Sequence, residues 1–261
     1  MNILDHIVAD KKKEVAIRKN LFPTHYWEQS PLFERDCVSL AESLRSKTVG
    51  IIAEHKRRSP SRAVINQSDS VANIIDAYTQ AGAGGLSILT DGKYFGGSLE
   101  DLVQARATTA LPLLRKEFII DPYQLIEAKA HGADAILLIA AVLSRSEIKT
   151  LSEDAKALGL EVLLEVHNHQ ELNKALMPSL DLLGVNNRDL KEFTVSLDTS
   201  KKLAEEIPDS FVKVSESGIS SPKAVRELRS FGFQGFLIGE YFMKANDIQI
   251  ATREFIAACQ A

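Results

Sequence analysis

Residues 50–61, GIIAEHKRRSPS, begin as an apolar run and end in charge, serine and proline. Successive side chains of a strand point to opposite faces. Ile52, Glu54 and Lys56 therefore share one face, and Ile51, Ala53 and His55 share the other. Packing alone does not ask for a carboxylate and an ammonium together at the C-terminal end of a strand. A buried charge must be paired, or it costs several kcal/mol. In isolation the stretch could be an internal Glu54–Lys56 ion pair, or a solvated strand end running into a basic loop. Similar charged strand ends recur down the chain, and that recurrence decides the fold.

Short apolar segments follow at intervals of roughly 20–35 residues, each separated from the next by a helical pattern. Strands are expected at 50–56, 86–89, 112–116, 135–139, 161–165, 182–186, 212–216 and 235–239. Val71, Ile74, Ile75 and Tyr78 have the i, i+3, i+4, i+7 spacing of an amphipathic helix. Asp121-Pro122, Ser144 with Glu147, Asn168 with Glu171, and Ser221-Pro222 read as helix starts. Gly132, Gly159 and Gly232 read as helix ends. Eight strands alternating with eight helices imply a parallel sheet with right-handed crossovers. In a chain of 261 residues that is an α/β protein built as a (β/α)8 TIM barrel, with 1–261 as a single domain. A doubly wound open sheet is the alternative, but no GxGxxG or Walker-type loop follows the first strand. Residues 1–48 are expected to form an N-terminal helical extension. Leu4, Ile7, Val8 and Val15 suit one helical face, and Ser30-Pro31 reads as an N-cap opening a second helix to about residue 46.

Composition narrows the function. The chain is 45% hydrophobic and 25% charged, enough for a sizeable core. A net charge of −4 offers no basic footprint for nucleic acid, and the basic clusters at 11–13 and 56–58 are short and flanked by acids. Cys37 and Cys259 have neither disulfide nor metal spacing. The six histidines are scattered, with only His167 and His169 close together in what reads as a helix-starting loop, so no metal is expected. The N-terminus lacks the order of a signal peptide, and no apolar run reaches the roughly 20 residues of a membrane span. A cytoplasmic protein without membrane contact is expected.

Barrel active sites lie at the C-terminal ends of strands. Here those ends carry Glu54 and Lys56, Lys116, Glu165, Asn186, Glu216-Ser217-Gly218 and Gly239-Glu240. Leu114 with Lys116, Leu163 with Glu165, and Gly184 with Asn186 share inward parity. Two lysines and at least two carboxylates thus converge on one mouth. A lysine beside another cation can have its pKa lowered and act as a general acid. A partly screened strand-end glutamate can have its pKa raised and act as a base. Gly218 and Gly239 could expose backbone N–H groups to an anion, with Ser59 adding a hydroxyl. Barrels commonly hold phosphate after strands seven and eight. A phosphorylated, anionic small molecule is the expected ligand.

The motifs AEHKRRSPS, SILTDGKYFGGS, LLRKEFIID, LLEVHN, GVNNRDL, SESGI and FLIGE occur in this order, and with them the chain resembles the indole-3-glycerol phosphate synthase family along nearly its whole length. The resemblance implies a cofactor-free closure of 1-(2-carboxyphenylamino)-1-deoxyribulose 5-phosphate to an indole, with loss of CO2 and water. It also implies Lys116 as general acid, Glu165 as general base, and Lys56 as the lysine that holds the anthranilate carboxylate. Glu54, Asn186 and Ser217 would orient these groups and the ribulose hydroxyls. Ser59, Gly218, Gly239 and Glu240 would cradle the phosphate, and Phe95, Leu137, Arg188 and Leu190 would surround the aromatic ring. Glu240 is a departure, since the family often has serine there; its backbone N–H is expected to serve while its carboxylate faces away. His55 falls on the helix-facing side. A related isomerase barrel would need a Cys/Asp or Asp/Asp pair at strand ends, and no cysteine lies at one. A catalytically silent barrel that binds a metabolite or protein would need Lys116 or Glu165 missing. A monomer is expected, with an oligomer as the alternative.

Overall fold

The computed structural model describes residues 3–60, 62–66, 69–189, 192 and 194–260. Its eight strands are β1 (Gly50–His55), β2 (Gly85–Leu89), β3 (Leu113–Lys116), β4 (Ala135–Ile139), β5 (Glu161–Val166), β6 (Leu182–Asn186), β7 (Val212–Glu216) and β8 (Gly235–Ile238). Each pairs in parallel with the next, and β8 pairs with β1 from Gly50↔Gly235 to Ala53↔Ile238. The sheet is therefore a closed barrel, and the open-sheet alternative is excluded.

Helices α1 (Ile3–Leu21), α2 (Thr24–Glu28) and α3 (Leu40–Ser46) precede β1. Around the barrel run α4 (Val71–Gln80), α5 (Gly92–Phe95), α6 (Leu99–Thr108), α7 (Tyr123–Ala130), α8 (Arg145–Ala157), α9 (His169–Ala175), α10 (Asp198–Leu203), α11 (Pro222–Arg229), α12 (Glu240–Met243) and α13 (Ile248–Gln260). Several of the expected helix starts are present. Ser144 and Glu147 form a reciprocal capping box, Asn168 accepts from the Glu171 N–H, and Ser221 caps α11 with Pro222 in its first turn. Such caps satisfy amide donors that the first turn leaves open.

The strand pleat sorts the apolar residues into two cores. Ile51, Ala53, Ile136, Leu138, Val162 and Leu164 face the helices, with Ile75, Leu125 and Leu228 packed against them. Ile52, Leu114, Leu137, Leu163, Leu182, Val214 and Leu237 fill the barrel interior. His55, on the outer parity, is buried among these elements, and burial pushes its pKa down to about 4.

One expected element is different. The helix read from Ser30-Pro31 does not form; turns occupy residues 31–35 and α3 starts only at Leu40, capped by Ser39. The reason is tertiary. The Ser30 hydroxyl donates to the Ala130 carbonyl, and the Val38 N–H donates to Asp134, so this segment is spent on crossing the base of the barrel. Ser39 and the Ala41 N–H both bond Glu161 at the start of β5. Leu40 and Leu44 of α3 then plug the N-terminal end of the barrel. Three strand-starting glycines make room for them: a Cβ on Gly50 would come within 2.8 Å of Leu44, and one on Gly85 within 2.4 Å of Leu40. A Cβ on Gly235 would meet Leu44 at 3.1 Å.

Leu44 is 1% exposed, so Leu44→Ala should leave a cavity under the barrel floor. A loss of about 2–5 kcal/mol in unfolding free energy is expected. Denaturant unfolding measures it, and a loss below about 1 kcal/mol would mean that α3 is not the plug.

Candidate active site

Because every strand runs the same way around a closed ring, the C-terminal ends meet at one rim. The rim surrounds a cavity of about 710 Å³. Glu54, Lys56, Ser59, Phe95, Lys116, Leu137, Glu165, Asn186, Arg188, Ser217, Gly218, Gly239 and Glu240 all line it. Leu190 lies outside the described residues.

Two ammonium groups sit among three buried carboxylates. Lys56 Nζ lies 2.9 Å from Glu54 Oε1, and Ser87 donates to Glu54 Oε2 at 3.1 Å. Lys116 Nζ is 2.5 Å from Glu216 Oε2 and 3.5 Å from Glu165 Oε2. Asn186 Nδ2 donates to the other Glu165 oxygen at 3.1 Å, while its own Oδ1 accepts from the Arg188 N–H. The cross-strand register explains the grouping: Glu165 lies beside Gly184, and Asn186 beside Glu216. Gly184 is required here, since a Cβ would stand 2.3 Å from Glu216 Oε1.

A lysine beside another cation can have its pKa lowered, but the pKa of Lys116 is raised. Burial works against its charge, but Glu216, Glu165 and Glu54 together outweigh burial. The surrounding carboxylates therefore favour the ammonium form. For Glu54, burial alone would raise the pKa, and Lys56 and Lys116 reverse that and lower it. Glu216 goes the other way and is pushed up to about 7, first by burial and then by its like-charged neighbours Glu165 and Glu54, against the pull of Lys116. Three carboxylates share two ammonium groups at this end, and the raised one, Glu216, has a buried Oε1 without a hydrogen-bond partner among the described residues. Glu216 was visible in sequence only as a strand end. Its parity with Val214 was the available signal.

After β7 the backbone takes a shape that most residues avoid. Ser217 has φ +68° and Gly218 φ +76°. A non-glycine residue there is strained by about 1–3 kcal/mol. Asn187 holds the turn from outside the barrel, donating to the carbonyls of Glu216 and Ser217 at 2.9 and 3.1 Å. Ser200 and Ser215 complete that buried network. Gly239, across the mouth, has Glu54 packed so closely that a Cβ would sit 2.9 Å from it. The Glu240 carboxylate is bonded by Lys244 at 2.5 Å and lies 3.4 Å from Arg62. Burial would raise its pKa, but Lys244 and Arg62 lower it. Two cations thus neutralise the acidic side chain at this edge.

The N-terminal extension enters the site, which its sequence did not announce. Ile3, Leu4 and Ile7 of α1 line the cavity. Lys11, one turn on, is 2% exposed and lies 3.0 Å from Asp91, 3.1 Å from Glu117 and 2.8 Å from Glu14. Burial opposes its charge, but Glu117, Asp91 and Glu14 raise its pKa regardless. Asp10 bonds Tyr94 and Lys93 of α5. In sequence Lys11 was one of three lysines in a solvated-looking run. Arg57 and Arg58, by contrast, tie loops together: Arg57 grips Asp101, and Arg58 donates to the carbonyls of Gly92 and Lys93.

Comparison with known proteins agrees with this geometry. The family model described as indole-3-glycerol phosphate synthase matches residues 4–255. A protein of that name from Bacteroides thetaiotaomicron is 45% identical over 259 residues, covering 99% of both chains. Indole-3-glycerol phosphate synthase 2 from Ralstonia nicotianae is 44% identical, covering 99% of this chain and 98% of its own. Among solved structures, thiamine phosphate pyrophosphorylase from Pyrococcus furiosus matches in fold at TM-score 0.62 and 18% identity, over 85% of this chain and 98% of its own.

Lys11→Met should remove the cation that several carboxylates surround. Leaving buried charges unpaired costs about 3–5 kcal/mol. The expected outcome is a lower melting temperature, with the α1 segment cut first in limited proteolysis. An unchanged melt and an unchanged digestion pattern would show that Lys11 does not hold α1 to the rim.

Proposed function

The chain belongs to the indole-3-glycerol phosphate synthase family, and we propose that the barrel mouth closes 1-(2-carboxyphenylamino)-1-deoxyribulose 5-phosphate to indole-3-glycerol phosphate, CO2 and water, the tryptophan-biosynthetic step of that family. The observation that carries the placement is the grouping of Lys56 and Lys116 with Glu54, Glu165 and Glu216 at one end of a 710 Å³ cavity.

The chemistry needs an anion anchored at each end of the substrate and protons moved in the middle. Lys56 takes the anthranilate carboxylate and sets the ring carbon against the ribulose carbonyl. Lys116, held as an ammonium by the carboxylates around it, gives its proton to the oxygen on which charge develops as the carbon–carbon bond forms. CO2 leaves as the ring regains aromaticity. The new hydroxyl then departs as water, with a proton from a lysine, and Glu165 removes the hydrogen from the neighbouring carbon of the new ring. Glu216 holds Lys116 in reach. Holding the reacting groups in near-attack geometry supplies much of the acceleration. Phe95, Leu137 and the α1 residues Ile3, Leu4 and Ile7 give the aromatic ring an apolar wall. Leu190 is proposed for the same wall from its sequence motif alone. The phosphate would meet the backbone of Gly218, Gly239 and Glu240 with the Ser59 hydroxyl. Asn186 and Ser217 would orient the ribulose hydroxyls.

Incubation with the anilino-deoxyribulose phosphate should produce indole fluorescence. Lys116→Ala and Glu165→Gln should each lower turnover by roughly 10²–10⁴-fold, the contribution usual for a general acid or base, with a much smaller change in binding. Near-normal turnover in either variant would remove that residue from its role.

Inorganic phosphate should inhibit competitively and raise the melting temperature, since it binds only the folded protein. With its carboxylate already neutralised by Lys244 and Arg62, Glu240→Ser should change phosphate affinity by less than about tenfold, or about 1.4 kcal/mol. Titration of both proteins at matched ionic strength checks this. A large tightening would mean that the carboxylate repels the anion directly.

A further inference from the structure

His167 of the LLEVHN motif follows β5, two residues after Glu165, yet it does not line the cavity. Its side chain is 11% exposed and stands behind Glu165. Glu171, in the first turn of α9, is held as an acceptor. Its Oε2 takes the His167 backbone N–H at 2.8 Å, and its Oε1 takes Asn168 Nδ2 at 2.8 Å. The same Oε2 lies 3.0 Å from His167 Nδ1. An ionised carboxylate can only accept, so Nδ1 carries a hydrogen. The other ring nitrogen, Nε2, is buried, makes no hydrogen bond among the described residues, and lies 3.4 Å from Glu165 Oε1. A neutral ring would turn a lone pair toward a carboxylate oxygen. A protonated ring turns an N–H toward it.

We infer that His167 is the positioning residue of the reaction's base: an imidazolium clamped by Glu171 that orients the Glu165 carboxylate toward the cavity. This rests on Glu165 acting as the base. The groups facing the ring are Glu165 from its own strand, Glu171 from α9 and Glu216 from β7, with Lys116 of β3 bonded to both Glu165 and Glu216. Burial would lower the pKa of the ring, but Glu171, Glu165 and Glu216 together raise it above the ordinary 6.5. The charge is therefore complete below that value and is lost as pH rises through the shifted midpoint. Above it the clamp opens, because Nε2 then presents a lone pair to Glu165. Asn186, which donates to the same Oε1, and Lys116, beside Oε2, continue to hold the carboxylate when the ring is neutral.

The test is an NMR titration of the His167 ring in the whole protein, assigned by its loss in His167→Gln. The midpoint should lie above 6.5 and fall in both Glu165→Gln and Glu171→Gln, each of which removes one facing charge. A midpoint that Glu165→Gln leaves unmoved would overturn the pairing. Kinetically, His167→Gln should lower kcat about tenfold or more with little change in KM, as when a charge-assisted contact is lost. It should also lose an alkaline limb of the kcat profile that the parent shows, and Glu171→Gln should move that limb to lower pH. His167→Ala, which cannot donate at all, should fall further than His167→Gln. Parent-like kcat and pH profile in both variants would overturn the role. If Glu165→Gln moves the ring's midpoint but keeps full turnover, the pairing stands and the base assignment fails, which separates the two readings.

Discussion

Ring closure by the parallel pairing of β8 with β1 is the constraint on which the other features depend. Parallel strands in a closed ring put all their C-terminal ends on one rim. The residues that end β1, β3, β5, β6 and β7 are far apart in sequence, yet they become neighbours across one mouth. The same closure buries the strands on both faces. Apolar side chains fill the interior below the rim, and a second apolar layer joins the outer face to the helices. A charge at the rim therefore has apolar packing beneath it and the cavity above it, and it must be met by another charge or by a ligand.

The mouth solves that problem with an imbalance. Glu54, Glu165 and Glu216 outnumber Lys56 and Lys116 at close range. The excess negative charge favours the ammonium form of Lys116 and adds to the burial that raises the pKa of Glu216. A lysine raised in this way is a weaker acid than one of lowered pKa, but it enters the reaction carrying its proton. His167 and Glu171 extend the same alternation of sign behind Glu165.

The N-terminal segment serves both ends of the barrel. Its α3 plugs the floor with Leu40 and Leu44, and its α1 reaches the opposite rim through Lys11 and the Asp10 contacts. An extension that could have been a simple apolar cover is thereby built into the wall of the cavity. At the rim it is held by ion pairs and apolar contacts, and at the floor by the apolar plug together with hydrogen bonds to Asp134 and Glu161.

Much of this was legible in the residues. The alternation of apolar strands with capped helices specified the barrel, because period-2 and period-3.6 patterns are local and each strand is short and apolar. Strand-end charges and their parity specified Glu54, Lys116, Glu165 and Asn186, because side-chain direction along a strand follows from the pleat alone. The tertiary structure decided what depends on contacts between distant segments. Ser30 was drawn from a helix cap to the Ala130 carbonyl. Lys11 was buried by Asp91 and Glu117, which are far from it in sequence. Lys116 holds its proton more tightly than a free lysine, because three carboxylates converge on it from β1, β5 and β7 and outweigh its burial. Direction is written into a single strand, but the sign and strength of an electrostatic field are set by every charge within reach, and only the folded chain decides which charges those are.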